Sequence, residues 1–341
     1  MSAEVGVAIL GLGGIGLSHA RALRELAPAV RLSAYSGGTP ARAAEAGWPD
    51  AVRVEPEALV HTAGVDVVAV CSPSAVHAEH AVAALTAGRH VVVEKPLALR
   101  VSDAEQILRL AVERDRLAAV ISQRRLEPEY AAVKRLLDEG ALGSVRLAST
   151  HVHWWRDDGY YQAAQWRGSM AAGGGSLMNQ GVHNVDLLRW LCGPVVEVTA
   201  QYGTVAHSID AEDTTVATLR FASGALGMIS TSTATPPGSP ATLTLHLDRG
   251  VVELGQGSIV RWEIDGVPAP KAASQIASGA ADPTAIGIAG HVEQWRDVLE
   301  AIGTGRPAAI TASDGAETVR LLCAIYRAAE LGRAVRPEEL T

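Results

Sequence analysis

The first 122 residues alternate short β-branched runs with helical patterns, and few folds accommodate that rhythm. Residues 5–10 read as a strand, a helix through Ala20 and Leu26 follows, and 30–35 is the next strand. Residues 65–71 form an almost continuous apolar run, as expected of a strand covered on both faces. A helix around 78–85, a strand at 90–94, a helix over 101–116 and a strand at 117–122 complete the series. Strands that alternate with helices pair side by side in parallel, so the pattern predicts an α/β fold with a doubly wound parallel sheet.

After Gln123 the rhythm changes, which sets expected domains at 1–123 and 124–341. A helix at 130–139 leads through Gly140-Ala141-Leu142-Gly143 into a strand at 145–153. Further strands at 197–204, 214–221, 225–233, 241–247 and 251–253 are separated by turns and predict a large, mostly antiparallel sheet. In 214–221, Thr215, Ala217, Leu219 and Phe221 make one side, and Thr214, Val216, Thr218 and Arg220 the other. So few charges on the second side predict an open sheet that is buried against another copy, in a homodimer or homotetramer. The Ala-, Gly-, Pro- and Ser-rich stretch 266–290 is long for a connector and is expected to be a mobile loop near the site. Helices at 292–302 and 314–331 close the chain.

A net charge of −8 and a pI near 5.8 leave no basic stripe for phosphate backbones, which excludes nucleic acid and favours small molecules. No apolar run reaches the roughly 18 residues of a membrane span. The three cysteines are too scattered for a disulfide or zinc framework, and the chain enters a strand almost at once. A cytoplasmic protein is expected.

Gly11-Leu12-Gly13-Gly14-Ile15-Gly16 follows the first strand and opens a helix. In that context the glycines permit a tight turn, close approach of a pyrophosphate and helix–strand packing, so NAD(P) is the expected cofactor. The second strand ends in Ser36 with no carboxylate for a ribose 2′-hydroxyl, whereas Ser36 and Arg42 suit a 2′-phosphate. That favours NADP over NAD, unless Arg42 is only a solvated helix residue. Cys71, Ser72 and Pro73 end the fourth strand, where doubly wound sheets bind ligands. His77 and His80 read as helix-start residues beside that crevice rather than metal ligands, since no further ligand completes a set. His151 and His153 face one way on their strand, toward core or substrate.

Only three lysines stand among twenty-nine basic residues, and Lys95 follows the strand 90–94 within Glu94-Lys95-Pro96. Arginine cannot release its proton near neutrality but a partly buried lysine can, which points to proton transfer. A second constellation runs from Gly173-Gly174-Gly175 to Asp186. If helical from Ser176, it places Asn179 and His183 one turn apart, with Leu177, Leu188 and Leu191 as the packing stripe. Between the two, Trp154, Trp155, Tyr160, Tyr161 and Trp166 hold five of the fourteen aromatic residues within thirteen positions, interleaved with Arg156 and Arg167. Aromatic faces stack on sugars and arginine forks bind carboxylate or phosphate, although a local core is the alternative. Gln123 and Arg124, at the domain junction, join the candidate substrate contacts.

These residues resemble the glucose–fructose oxidoreductase / inositol dehydrogenase (Gfo/Idh/MocA) family nearly end to end. The likeness rests on the glycines at 11–16, Ser72-Pro73 to His77, Ala87 to Pro96, and Gly173 to Asp186. It implies an N-terminal Rossmann domain and a C-terminal α/β domain whose open sheet mediates oligomerisation. It also implies Glu94, Lys95 and Pro96 beside the cofactor, a cis bond before Pro96, and Lys95 and His183 at the reaction centre. Many family members have aspartate where this chain has Asn179; an amide cannot exchange protons, which leaves more of that work to Lys95. The Asn-Gln-Gly-x-His form and the upstream Trp-Trp-Arg run are similar to the branch acting on sugar nucleotides. The expected reaction is hydride transfer between nicotinamide and a secondary hydroxyl or ketone of a sugar, polyol or sugar nucleotide. Lys95 is its acid/base, His183 its second hydroxyl partner and Asn179 the residue that orients the ring. A glycosidase working by transient oxidation and elimination, or a cofactor-sensing regulator, are the other classes.

Overall fold

The computed structural model describes residues 4–270 and 287–341. The chain divides into two compact units after Gln123, with Ile288–Val319 joining the first unit and Arg320–Thr341 the second. The sequence pattern kept 124–341 together. The helix Ala289–Thr304 instead buries Trp295, Val298 and Ala301 in the same core as Ala20, Leu23 and Val30. Nothing local to a helix records which distant sheet its apolar face covers.

The first unit holds strands β1 (Val5–Leu10), β2 (Val30–Ser36), β3 (Val52–Arg53), β4 (Val67–Val70), β5 (His90–Val93) and β6 (Ala118–Val120), in the order β3-β2-β1-β4-β5-β6. Every pair is parallel. All four residues of β4 are buried, as its unbroken apolar run predicts. Strand order reverses between β1 and β4, and ligands of such sheets bind outside the carboxyl ends at that reversal.

The second unit holds β7 (Val145–His153), β8 (Val195–Gly203), β9 (Thr214–Phe221), β10 (Leu226–Ser232), β11 (Thr242–Leu247), β12 (Gly250–Gly255) and β13 (Ser258–Ile264). Their order is β13-β12-β11-β7-β10-β9-β8, antiparallel except where β10 meets β7. In β9, Thr215, Ala217, Leu219 and Phe221 are buried while Val216, Thr218 and Arg220 are exposed, so the predicted alternation holds. The helix Val182–Cys192 covers the inner face, and Asn184 Nδ2 donates to Thr150 Oγ1 of β7 at 2.8 Å. Leu177, Leu188 and Leu191 are buried, as their spacing predicts. The outer face exposes Leu147, Val216, Leu226 and Met228. Strand β13 has no sequence counterpart among the expectations, because on this edge only Ile264 is buried and no apolar alternation marks it. Most of the stretch 266–290, expected as a loop near the site, lies outside the described residues.

Candidate active site

At the end of β1 the backbone itself demands two of the four glycines. Gly11 has φ +99°, and a Cβ there would lie 2.7 Å from the Cys71 carbonyl oxygen; one at Gly16 would lie 2.2 Å from that of Gly11. Gly13 is different: a Cβ would meet nothing within 4 Å, so no protein atom requires its absence. The helix Gly14–Arg24 that follows has no side-chain cap and no acidic residue in its first turn. Free N–H groups at a helix start, with open space in front of them, fit the pyrophosphate of a dinucleotide. Leu12 is wholly buried and its N–H donates to the Ser36 carbonyl at 2.8 Å, so its contribution is to shape the turn. Ser36 is also buried, whereas Arg42 stands exposed on the helix Pro40–Glu45.

Beyond β4, Cys71 is buried, Ser72 half-buried and Pro73 exposed. Burial, and then the charge of Glu94, push the Cys71 thiol well up, so it stays protonated. His77, expected at the cofactor crevice, is buried between two backbone carbonyls: Nδ1 is 2.7 Å from Pro96 O and Nε2 2.8 Å from Ser72 O. Carbonyls only accept, so both bonds are complete only in the imidazolium, while burial above all lowers the His77 pKa. The ring thus ties the end of β4 to the segment after β5 and has no nitrogen left for a ligand. His80 Nδ1 lies 2.9 Å from Ser72 Oγ. Glu94 turns inward, and Lys95 follows it at the carboxyl end of β5 with part of its surface exposed and a cis bond to Pro96. Burial lowers the Lys95 pKa, and the Glu94 charge opposes the shift.

In the second unit a wide π-helical turn, Ser176–Gly181, precedes the helix Val182–Cys192 and carries Asn179. Such turns displace the register of a helix and are frequent where side chains act on ligands. Glu212, which no sequence pattern marks, holds this turn. Its carboxylate accepts from Ser176 N–H (3.1 Å), Ser176 Oγ–H (2.5 Å), Leu177 N–H (2.9 Å) and Tyr326 O–H (2.8 Å). Burial nevertheless raises the Glu212 pKa against those donors.

Asn179 Nδ2 and Gln180 Nε2 both donate to Tyr160 Oη, at 3.3 and 2.6 Å. The guanidiniums of Arg167 and Arg156 both lie over the Tyr160 ring, 4.2 and 5.3 Å from its centroid, and Arg156 also lies 5.0 Å from the Trp154 ring. The aromatic–arginine run is therefore one layered cluster joined to Asn179, with Trp154 buried, Trp155 exposed and Trp166 half-buried. Gln180 belongs to it although the sequence reading passed over it. His183 is half-buried one turn after Asn179.

Arg124, expected to touch substrate, is buried with Nη1 3.3 Å from Asn184 Oδ1 and Nε 3.4 Å from Glu127 Oε1, so its charge is taken within the protein. Gln123 is buried in the first unit. His151 and His153 lie on the outer face of the sheet, both 2.8 Å from Ser230 Oγ, because β7 alternates and its inward residues are Ala148, Thr150 and Val152.

A phosphate-ready helix start at the switch point of a parallel sheet, with an ionisable lysine one strand away, defines an NAD(P)-binding oxidoreductase. The chain belongs to the Gfo/Idh/MocA oxidoreductases: residues 5–122 match the oxidoreductase family NAD-binding Rossmann fold, and 130–253 the GFO/IDH/MocA C-terminal domain. It is similar to the WlbA dehydrogenase from Bordetella pertussis, solved in complex with NADH and UDP-GlcNAcA, at 30% identity and a TM-score of 0.87 over 98% of this chain and 99% of that one. It is 26% identical to myo-inositol 2-dehydrogenase of Thermotoga maritima over 98% of this chain and 99% of the relative. It is 25% identical to an NADP(+) scyllo-inositol 2-dehydrogenase of Bacillus subtilis over 85% of this chain and 84% of the relative. No helix among the described residues is long and apolar enough to cross a membrane.

Proposed function

We propose that this enzyme interconverts a secondary hydroxyl and a ketone on a sugar nucleotide, with Lys95 as the acid/base. The observation that carries the reading is Lys95 itself, set at the carboxyl end of β5 with a pKa lowered by burial. A carbinol releases a hydride readily only as its O–H proton departs, so a neutral amine within hydrogen-bond reach is required. When bound, the dinucleotide accepts or supplies the hydride. Lys95 takes the hydroxyl proton in oxidation and returns it in reduction, while His183 hydrogen-bonds a substrate hydroxyl. Asn179, held by Tyr160, has no titratable proton to exchange and serves to orient. Half-buried Arg167 and the Tyr160 ring beneath it offer a cation and a ring face suited to a diphosphate or carboxylate on a sugar, with buried Arg156 behind them, and the likeness to WlbA supports that substrate class.

For the cofactor, exposed Arg42 and the absence of a carboxylate from Tyr35 to Arg42 favour NADP. A thermal-shift screen of NAD, NADP, polyols, aldoses and nucleotide sugars, followed by absorbance at 340 nm, tests both points. NADP is expected to raise the melting temperature more than NAD, and Arg42→Ala to abolish that difference. Turnover with nucleotide sugars alone supports the substrate reading, and turnover confined to free polyols overturns it.

The outer sheet face is proposed as the contact between copies in a homodimer or homotetramer, since Leu147, Val216, Leu226 and Met228 cluster there with few charges. Met228 sits opposite Thr218 and Ser149 in the middle of the sheet. Met228→Asp should convert the assembly to monomers in light scattering without loss of secondary structure. A cytoplasmic enzyme is the reading consistent with three scattered cysteines.

A further inference from the structure

Behind Lys95, and within the first unit alone, three titratable side chains are packed in the core. Glu94 Oε1 lies 2.9 Å from His19 Nε2 on the helix Gly14–Arg24 and 3.6 Å from His291 Nε2 on the helix Ala289–Thr304. Glu94 Oε2 accepts the Lys95 backbone N–H at 3.1 Å. All three side chains are more than nine-tenths buried.

The protons of this cluster can be placed. The indole N–H of Trp295 lies 2.9 Å from His19 Nδ1, and an indole nitrogen only donates. His19 Nδ1 must therefore present its lone pair, which puts the single proton on Nε2, where it is donated to Glu94. His19 is fixed as a neutral donor; a second proton would set two N–H groups head to head. The same assignment disfavours a metal, although the three potential ligand atoms lie within 4.8 Å of one another. Coordination through His19 Nε2 would require an imidazolate.

Glu94 is then a buried anion whose two hydrogen-bond donors, His19 and the Lys95 N–H, are neutral. Burial works to raise its pKa, but its ring neighbours outweigh that and hold it well below the usual carboxylate range. A buried charge without a counter-charge is costly, so a cation must lie close. Two groups can supply it: the Lys95 ammonium, and the His291 ring, whose Nε2 lies 3.6 Å from Glu94 Oε1. The other titratable groups facing the cluster are Cys71, a neutral thiol at the end of β4, and His77, whose ring is committed to two carbonyls.

We propose that Glu94 and His291 are positioning residues that govern whether Lys95 is charged, with one compensating proton held by His291 or by Lys95. With the proton on His291 the carboxylate is neutralised from behind, and Lys95 is free to be the neutral base. With His291 removed, Lys95 becomes the only counter-cation and holds its proton more tightly. With Glu94 uncharged, Lys95 loses the anion that favours its ammonium. This rests on Lys95 as the acid/base, but its test does not.

Trace acetylation of the three lysines, read peptide by peptide against pH, reports the ionisation of Lys95 without any turnover. In the unsubstituted protein the midpoint for Lys95 should lie below the ordinary lysine value of 10.5. Glu94→Gln should move it down, and His291→Gln up, each by about one pH unit. The pH limb of kcat/KM for oxidation should follow the same two directions. An unsubstituted midpoint at or above 10.5 overturns the proposal even where a variant fails to fold. So does an unmoved midpoint in a folded His291→Gln or Glu94→Gln protein, or a stoichiometric metal retained through chelator dialysis. If the midpoints move as stated while Lys95→Ala keeps full turnover, the network stands and the acid/base assignment falls.

Discussion

Lys95→Ala should lower turnover on the order of a thousandfold or more while leaving dinucleotide affinity nearly unchanged. The phosphate cradle is built from Gly11 to Gly16 and the start of the helix Gly14–Arg24, on a different strand end from Lys95. Lys95→Arg should fail almost as completely, because the charge is retained but the proton cannot leave. With Lys95 in the proposed role, oxidation needs the neutral amine and reduction the ammonium. Oxidation should therefore rise, and reduction fall, as pH increases through a Lys95 pKa that burial has lowered. Stopped-flow absorbance at 340 nm in both directions, with cofactor binding followed by fluorescence, measures all of this. Turnover preserved in Lys95→Ala would remove the lysine from the reaction.

Glu212→Ala should be the most damaging change in the second unit outside the substrate contacts. It removes the acceptor of the Leu177 N–H and the Tyr326 hydroxyl and one of two partners of the Ser176 hydroxyl, which keeps Thr231 Oγ1, while the Ser176 N–H keeps the backbone carbonyl of residue 212 at 3.0 Å. Each buried donor left unmatched costs about 1–3 kcal/mol, and relaxation onto water or neighbours recovers part of it. A loss of about 3 kcal/mol in unfolding free energy is expected. Displacement of Asn179 and His183 by even an ångström should cost kcat/KM up to about a hundredfold. Glu212→Gln keeps one oxygen and should lose markedly less of both. Denaturant unfolding alongside steady-state kinetics decides it; activity unchanged at full stability would mean the turn is held by other contacts.

What could be read from the sequence, and what could not, follows from the range of the interactions. The glycine turn and β4 were legible because their signals are local: a fixed φ and an unbroken apolar run. The alternation of Thr215, Ala217, Leu219 and Phe221 was legible for the same reason. Glu212, His19, Gln180 and His291 were not, since each matters through a partner that only the fold supplies. Glu212 meets Ser176 across 36 positions, and Trp295 meets His19 across 276. Arg124 meets Asn184 across 60 positions, a partner that again only the fold supplies.

The helix Ala289–Thr304 supplies Trp295, Val298 and Ala301 to the core built around β1 and β2. A nascent chain emerging from the ribosome amino end first would have made every strand of the parallel sheet long before those residues exist. The cofactor-binding half therefore cannot finish its interior until synthesis has passed Ala301, although its strands come first. A fragment ending at Gln123 would expose the surface that Trp295 covers, so the gene cannot be cut there to yield a stable nucleotide-binding module.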